Sequence, residues 1–431
     1  MSYRPVQNTI KEFLHTPLYI ETETETRQVL AKPPDLDHDA RMIPYYFDWA
    51  ATTPMSDRAI QAYVNAAKTY RGNPSALHKD GVEAAKALAH ERETSADLLS
   101  ISPKQVHYTS GATESNGIVL QSLLWKRCPG RVLISAIEHD SVLQYKRILE
   151  NRGFEVVFIK APGGYISIEA LKHALTDTTQ MICIMLVNNV LGTVQDLEGV
   201  SRLIRSHEQQ TGKSVHIHCD AVQAIGKMSC KFSSLDIDSA SFSAHKFRGP
   251  KGTGILYLRS PSIEPLSRGG GQEMGIRPGT EHIAAIASMN AALFETLEQE
   301  KELLAHSYEL RTQFEQIISG YEHAIRLVSP SIHGTSSIVP SIFTCVVPGL
   351  PSEVFTRIMY DKGFCISSGS ACSNNAPKGS SGVLSEAGIS STDADSAIRI
   401  SFGKETTSEQ VQLLAETLIQ ESKKLKSIIR K

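Results

Sequence analysis

The sequence has no long apolar run and almost no net charge. No stretch of the 431 residues approaches the length of a membrane span, and the amino terminus lacks the charged-then-apolar pattern of a secretory signal. The cytoplasm is therefore the expected compartment. The formal net charge of −2 gives no electrostatic reason to expect binding to nucleic acid or to a membrane surface.

Closely spaced cysteines are also missing. The seven cysteines lie far apart, which argues against a disulfide framework and against a self-contained zinc site. Cys183, Cys219 and Cys345 have apolar neighbours and are predicted to lie in the core. Cys372 instead follows small polar residues in a Gly- and Ser-rich stretch, where we expect it to be accessible, as a reactive thiol must be. Cys365 is its nearest competitor.

The sequence does contain a lysine just beyond a short apolar run. Residues 238–244 are predicted to form a buried strand, and Lys246 follows it directly before Gly-Pro and Gly-Thr-Gly, which let the backbone turn tightly. A lysine in such a position is costly unless it is paired, covalently modified or used as a base. A surface lysine in a turn is the simpler alternative, and the rest of the chain must decide between the two.

Short β-rich runs alternate with helical stretches through the middle of the chain. This alternation predicts a mainly parallel sheet covered by helices on both faces, in which ligands bind at the carboxyl ends of the strands. The predicted strands are residues 131–137, 155–159, 181–187, 215–219 and 255–258. Polar residues follow these runs and the run before Lys246: Glu138, His139, Asn188, Asn189, Asp220, Gln223, Ser243 and His245. We predict that they converge on one site.

A second site element precedes these strands. A short strand beginning at Val106 turns through Ser110 and Gly111 into a helix predicted to reach about Trp125. The start of a helix offers free N–H groups and a positive dipole end, and Thr113 adds a hydroxyl, so the turn suits a phosphate group. An ordinary helix cap is the alternative.

These motifs resemble a known family. Ser-Ala-His-Lys followed by Gly-Pro-Lys-Gly, at residues 243–252, is similar to the lysine segment of class V aminotransferases, which are fold-type I pyridoxal 5′-phosphate (PLP) enzymes. The cysteine desulfurases of the NifS/IscS type are the closest match. Further motifs occur in the family's order between residues 45 and 425, including Asp-Trp-Ala-Ala-Thr-Thr-Pro at 48–54, Gly-Gly-Gly-Gln-Glu at 269–273 and Arg-Ile-Ser-Phe-Gly at 399–403.

The resemblance implies an α/β fold of the PLP-dependent transferase type I. A large domain with a mainly parallel sheet flanked by helices is expected at residues 45–298. A smaller α/β carboxyl-terminal domain carrying the cysteine loop is expected at residues 299–431. Residues 1–44 are expected to be an amino-terminal extension.

The resemblance also assigns roles to residues. Lys246, Cys372 and His139 would be catalytic: Lys246 holds PLP as a Schiff base, Cys372 accepts sulfur, and His139 stacks on the ring. Asn189 and Arg399 would bind the substrate. The implied PLP-binding residues are Ala112, Thr113, His139, Asn189, Asp220, Gln223, Ser243, His245, Lys246 and Thr280. Because Thr280 reaches the phosphate of the partner subunit in the family, a homodimer with shared active sites is expected.

The implied activity is that of a cysteine desulfurase. L-cysteine gives L-alanine and a persulfide on Cys372, which is passed to a sulfur-acceptor protein for iron–sulfur cluster assembly or thiolation. No intrinsic metal is expected, although Cys372 could ligate an iron–sulfur cluster together with a partner. The alternatives are a selenocysteine lyase or other class V PLP aminotransferase, and a non-catalytic scaffold with the PLP fold. Val190, Arg248 and Met274 stand where relatives often carry Glu, His and Arg.

Overall fold

The computed structural model describes residues 45–260, 263–369 and 382–429. The predicted extension, residues 1–44, and Cys372 lie outside these ranges. The strands are β1 Tyr45–Tyr46, β2 Val106–Thr109, β3 Arg131–Ser135, β4 Glu155–Ile159, β5 Thr179–Met185, β6 His216–Asp220, β7 Ser239–Ser243, β8 Gly254–Leu258, β9 Arg326–Leu327, β10 Ile342–Val346, β11 Phe364–Cys365, β12 Ser367–Ser368 and β13 Ala397–Ser401.

Helices separate most of these strands. They are α1 Asp57–Thr69, α2 Lys79–Leu99, α3 Ala112–Ser122, α4 Asp140–Leu143, α5 Tyr145–Asn151, α6 Ile168–Ala174, α7 Leu197–Thr211, α8 Ile283–Glu298, α9 Glu300–Ile318, α10 Ser352–Asp361, α11 Val383–Glu386, α12 Ser391–Asp395 and α13 Ser408–Ile429.

Seven strands form the main sheet, in the order β2-β8-β7-β6-β5-β3-β4. Neighbours from β7 to β4 are parallel, whereas β8 runs antiparallel to both β7 and β2. Because β8 reverses direction between them, β2 points the same way as β7. The carboxyl ends of β2, β3, β5, β6 and β7 therefore meet at one edge of the sheet, which is the edge where the predicted polar residues lie.

Side-chain alternation along the central strands builds a core on each face of this sheet. On β5, Ile182 and Ile184 join one buried cluster, and Met181 and Cys183 join the other. Successive side chains of a strand point to opposite faces, so a strand buried on both faces must be apolar almost throughout. Helix α8 covers the first face, and α3 covers the second.

A second sheet follows α9. It has the order β12-β13-β10-β9 with antiparallel neighbours, while β1 and β11 form a separate parallel pair. Helices α9, α10 and α13 supply the apolar side chains that pack on it, and Val411, Leu414 and Leu418 of α13 are fully buried along one stripe. These three side chains give the last helix one apolar face, which packs on the sheet.

The predicted mainly parallel sheet is confirmed, and most boundaries differ by one or two residues. Strand β8 is the exception in direction, because alternation along the sequence carries no information on which way a short connection turns a strand. The helical region after residue 283 consists of two helices, α8 and α9, that meet at Gln299. The predicted domain boundary at 298/299 falls at this break and stays a prediction.

Gly403, two residues after β13, packs closely against Trp49 near the start of the described chain. A β-carbon at Gly403 would overlap the indole ring of Trp49, which is buried and donates Nε1–H to the Tyr46 carbonyl at 3.0 Å. We expect Gly403→Ala to lower the free energy of unfolding by about 1–3 kcal/mol, as overpacking does. Gly382→Ala, where a β-carbon meets nothing within 4 Å, should change it by less than about 0.5 kcal/mol. Equal urea midpoints for the two variants would contradict this packing.

Candidate active site

The start of α3 forms an open cradle. Gly111 has a φ of 139°, which a residue with a side chain rarely adopts, and it precedes the helix without a side-chain cap. The Ala112 N–H donates to Ser243 Oγ at 2.8 Å, which ties the cradle to the end of β7. A cavity of about 310 Å³ lies here, and its lining includes Thr52, Gly111, Ala112, Thr113, His245 and Lys251.

Lys246 lies on a single 3-10 turn, Ala244–Lys246, directly after β7. Its Nζ donates to the carbonyls of Ala50 and Ala51 at 2.6 and 2.7 Å. A second lysine, Lys227, donates from Nζ to the Lys246 carbonyl at 3.1 Å. Burial and the charge of Lys246 lower the pKa of Lys227 to about 7. Burial and the charge of Lys246 therefore both weaken the proton affinity of Lys227.

His245 lies between the cradle and Lys246. Its Nδ1 is 3.1 Å from Thr52 Oγ1, and its carbonyl accepts from both the N–H and the hydroxyl of Thr53 at 2.9 Å. Burial, reinforced by the charge of Lys246, lowers the pKa of His245 to about 4. The imidazole is therefore neutral at physiological pH and can exchange hydrogen bonds with an anionic group without carrying charge.

Asp220 ends β6 and is only 5% exposed. Its two carboxylate oxygens accept from the Val222 N–H at 3.1 Å and from Asn116 Nδ2 at 3.0 Å. Gln223, one turn later, donates Nε2–H to the Ala50 carbonyl at 2.9 Å, while its buried Oε1 has no partner among the described residues. A buried acceptor of this kind suits a hydroxyl group brought by a ligand.

Glu138 and His139 follow β3. His139 Nδ1 accepts from the Ser141 N–H at 3.1 Å and caps α4. The side chain of Glu138 is buried and accepts from the Met185 N–H. Burial, and then the charge of Asp220, raise the pKa of Glu138 well above its usual range. Burial therefore favours the neutral form of the Glu138 carboxyl group.

Arg399 lies in the middle of β13, and its side chain is 5% exposed. Its Nη2 donates to Asp48 Oδ1 at 2.7 Å, and Nη1 donates to the Asn189 carbonyl at 3.2 Å. The buried Nε has no partner in the described part of the chain. The guanidinium is thus oriented by protein groups while donors remain for a further acceptor, as a carboxylate clamp requires.

Residues 47–53, here called the bridging segment, connect the two halves of this arrangement. The Ser401 N–H of β13 donates to the Phe47 carbonyl at 2.8 Å, and the Ala50 N–H donates to Ser401 Oγ at 2.9 Å. Further along the segment, the Arg248 N–H donates to Thr53 Oγ1 at 2.8 Å. The segment therefore places the Lys246 turn and the Arg399 strand against the same short stretch of backbone.

One predicted site residue, Thr280, does not reach this place within its own chain. Thr280 is exposed in the loop after the 3-10 turn Gln272–Gly275, and it is not among the residues that line the cavity at the start of α3. Arg277 of the same loop reaches Glu114 on the first turn of α3, with Nε and Oε1 3.4 Å apart. Cys372 lies outside the described residues, so its position stays a prediction.

Five of the six cysteines that the structure describes are poor candidates for a reactive thiolate. Cys183, Cys219 and Cys345 are buried, as predicted. Burial raises the pKa of Cys345 to about 12 and that of Cys230 to about 11. For Cys365, the predicted competitor, burial and then the charge of Asp48 raise the thiol pKa. A raised thiol pKa reduces the thiolate fraction, which is the nucleophilic form.

Sequence reasoning missed several residues that hold the site. Asp48 was visible inside the opening motif, but only the structure shows that it binds Arg399. Asn116 and Lys227 occupy buried polar positions with no distinctive spacing in the sequence, so no signal pointed to them. Within residues 45–260, 263–369 and 382–429, no cluster of His, Cys, Asp and Glu could hold a metal ion. No helix in those ranges is long and apolar enough to cross a membrane.

Comparison with known proteins gives consistent matches over most of the chain. A NifS/IcsS protein homolog of Lactobacillus delbrueckii subsp. bulgaricus is 36% identical over 373 residues, which cover 85% of this chain and 94% of that protein. A cysteine desulfurase IscS of Neisseria meningitidis serogroup C is 35% identical over 392 residues, which cover 89% of this chain and 94% of that protein.

Solved structures agree in fold. A NifS-like protein, 30% identical, superimposes with a TM-score of 0.79 and covers 88% of this chain and 98% of its own. A structure described as SspA in complex with cysteine is 31% identical, with a TM-score of 0.70, and covers 83% of this chain and 98% of its own.

These comparisons confirm the predicted α/β fold and the resemblance inferred from the sequence motifs. The family described as Aminotransferase class-V matches residues 45–414, which include the cradle, the Lys246 turn and the Arg399 strand. The chain belongs to the class V aminotransferase family.

Proposed function

We propose that this protein is a PLP-dependent cysteine desulfurase. The observation that carries the proposal is the shared anchorage of Lys246 and Arg399: the Lys246 amine binds the Ala50 and Ala51 carbonyls, and Arg399 binds Asp48, two residues away. An amine that can hold an aldehyde cofactor and a guanidinium that can hold a carboxylate thus face one short segment. The relatives named cysteine desulfurase and the cysteine-bound relative support cysteine as the substrate.

The residues present fit PLP. The start of α3, with the Thr113 hydroxyl and His245 beside it, offers donors to a phosphate. Glu114 of the same helix turn also lines this cavity, and its carboxylate accepts from the Ser110 N–H. Gln223 Oε1 is a buried acceptor without a described partner, and Asp220 is a carboxylate that suits the ring nitrogen. When bound, PLP would supply the electron sink for the charge left on the substrate α-carbon after its proton is removed.

Lys246 is the residue that we assign to proton transfer. Its Nζ is directed by the Ala50 and Ala51 carbonyls, which hold the amine at one place in the site. Arg399 would bind the substrate carboxylate through the donors that Asp48 and Asn189 leave open. Lys246, through the cofactor that it holds, would position the substrate at its amine, and Arg399 would position it at its carboxylate.

Cys372 is the sulfur-accepting thiol in this proposal. As a thiolate it attacks the substrate sulfur, and a sulfur–sulfur bond forms as the carbon–sulfur bond breaks. The electron pair of the broken bond stays with the carbon, which takes up a proton, so the carbon skeleton leaves as L-alanine and Cys372 carries the persulfide. A sulfur-acceptor protein then takes the sulfur. The raised thiol pKa of Cys365 supports Cys372 over its competitor. A selenocysteine lyase or another class V enzyme would share the Lys246 and Arg399 anchors, so the choice rests on the thiol and on the relatives.

A homodimer with shared active sites is part of the proposal. Thr280 is exposed on its own chain, and the loop that carries it contacts the first turn of α3 through Arg277 and Glu114. Because Thr280 is exposed and its loop lies against α3, Thr280 can reach the cradle of a second copy of the chain in a two-fold arrangement.

Loss of Cys372 should separate cofactor binding from sulfur transfer. We expect Cys372→Ala to retain the visible absorption of bound PLP and to lose sulfide and alanine production from L-cysteine. The reason is that the Cys372 thiol acts on the substrate sulfur, whereas Lys246 holds the cofactor. Lys246→Ala should lose the absorption of lysine-bound PLP. Cys365→Ala and the exposed control Cys128→Ala should keep turnover. A Cys372→Ala enzyme with full turnover, or turnover of selenocysteine alone by the wild type, would overturn the desulfurase assignment.

Loss of the Asp48 charge should act on substrate binding. Because Asp48 orients the guanidinium of Arg399, we expect Asp48→Asn to raise KM for L-cysteine about 10-fold or more, with a smaller change in kcat. Asp393 and Arg326 form a surface pair with the same type of contact at 2.8 Å, so Asp393→Asn is the matched control and should leave KM unchanged. Equal KM values for wild type and Asp48→Asn would exclude this orienting role.

The raised pKa of Glu138 predicts a pH-dependent difference in stability between the wild type and a Gln variant. Because the folded-state pKa of Glu138 is raised, its stabilising effect is fully present below the unfolded-state value of about 4.3 and is lost as pH rises. We expect the unfolding free energy of Glu138→Gln relative to wild type to increase by about 1.4 kcal/mol per pH unit above that value, while Glu138 stays protonated in the fold. Urea unfolding at several pH values measures this difference.

Glu150 provides the control for this measurement, because its side chain is half exposed and pairs with Lys146 on the surface. Glu150→Gln should show a difference from wild type that does not change above pH 5.5. A Glu138→Gln difference that is equally flat with pH would show that Glu138 is ionised in the folded protein.

A further inference from the structure

A chain of buried polar side chains runs behind Asp220 and is not used by the proposed reaction. It begins at His216, whose Nε2 is 2.7 Å from Ser239 Oγ, and continues from Ser239 Oγ to His218 Nδ1 at 2.7 Å. His218 Nε2 lies 2.9 Å from Asn116 Oδ1. Asn116 Nδ2 then contacts Asp220 at 3.0 Å and Ser141 Oγ at 2.9 Å. Three of these residues, His218, Ser239 and Asn116, are fully buried.

The direction of each hydrogen bond follows from Asp220. A carboxylate only accepts, so the Asn116 amide must present Nδ2 to Asp220 and its Oδ1 to His218. Because an amide oxygen also only accepts, His218 must carry its proton on Nε2. Its Nδ1 is then an acceptor, and the hydroxyl of Ser239 must donate to it.

The direction of the hydrogen bond at the far end of this chain, between His216 and Ser239, follows in the same way. The Ser239 hydroxyl donates its only proton to His218, so its oxygen accepts from His216 Nε2–H. Burial is the main cause that lowers the pKa of His218 to about 3 and that of His216 to about 4. Both imidazoles are therefore neutral around pH 7, and each has a single defined tautomer.

The other amide hydrogen of Asn116 bonds to Ser141, which connects Asn116 to His139. Asn116 Nδ2 donates to Ser141 Oγ, so the Ser141 hydroxyl proton is directed away from Asn116, toward His139 Nδ1 at 2.9 Å. The Ser141 N–H donates to the same ring nitrogen at 3.1 Å. His139 Nδ1 is therefore an acceptor, and the ring proton lies on Nε2.

We propose that Asn116 is a positioning residue that, through one amide, orients Asp220 and supports, together with the Ser141 N–H, the Nε2–H tautomer of His139. His218 and Ser239 hold that amide in place from behind, because they saturate its oxygen with a single directed donor. The consequence for chemistry rests on the proposed function, in which Asp220 and His139 are the groups that meet the two sides of the cofactor ring. One amide thus coordinates the two contacts that tune the ring.

Two measurements test this role. The first is the apparent dissociation constant of PLP, measured by visible absorption on reconstitution. Asn116→Ala should weaken it about 10- to 100-fold, because a donor to a charged group is lost, and Ser239→Ala should weaken it about 2- to 10-fold, because only a neutral relay is lost. Ser122→Ala is the matched control: it removes a buried hydroxyl from the same helix, where it bonds the Val119 carbonyl, and should bind PLP as the wild type does.

The second measurement reads the tautomers directly in protein without PLP. Long-range proton–nitrogen spectra of imidazole-labelled protein should show His218 and His139 as neutral Nε2–H tautomers at pH 7, with assignments from His218→Gln and His139→Gln. In Asn116→Ala, His218 should become a mixture of tautomers. Because this readout needs neither cofactor nor cysteine, it decides the proposal even if the desulfurase assignment fails.

Either of two results would overturn the proposal. A proton on Nδ1 of His218 or His139 in the wild type would reverse the direction of the chain. Wild-type affinity for PLP in both Asn116→Ala and Ser239→Ala would show that the network only fills the core. If Asn116→Ala does not fold, the affinity of Ser239→Ala and the wild-type tautomers still decide the question.

Discussion

The site depends on the bridging segment, residues 47–53, which hydrogen bonds hold in place on two sides. On one side its backbone pairs with Ser401 of β13, and on the other its carbonyls and Thr53 hold the turn that carries Lys246. These bonds join two sheets that share no strand. A shift of this segment would move the amine and the guanidinium relative to each other, and such misplacement of reacting groups is costly in catalysis.

Burial, more than direct ion pairing, sets the charges around this segment. Desolvation is the largest cause of the raised pKa of Glu138 and of the lowered pKa values of His218, His245 and Lys227. The result is a region in which burial favours the neutral forms of these four groups. Such a neutral surround strengthens each remaining electrostatic contact.

Much of this architecture was predictable from the sequence, and the reasons are local. The strands were predictable because central parallel strands are apolar throughout, and the cradle because Gly111 and a helix start follow β2 directly. The direction of β8, the Asp48–Arg399 pair and the Asn116 network were not, because each depends on residues far apart in sequence that packing alone brings together. The position of Cys372 relative to Lys246 stays a prediction.

The central claim is that Lys246 and Arg399 serve one site for PLP and L-cysteine. A crystal structure of the protein prepared with PLP and L-cysteine tests it most directly. The account predicts electron density for the cofactor between the α3 cradle and Asp220, in reach of Lys246, with the substrate carboxylate on Arg399. Cofactor bound elsewhere, or a substrate carboxylate that leaves Arg399 paired only with Asp48 and Asn189, would contradict it.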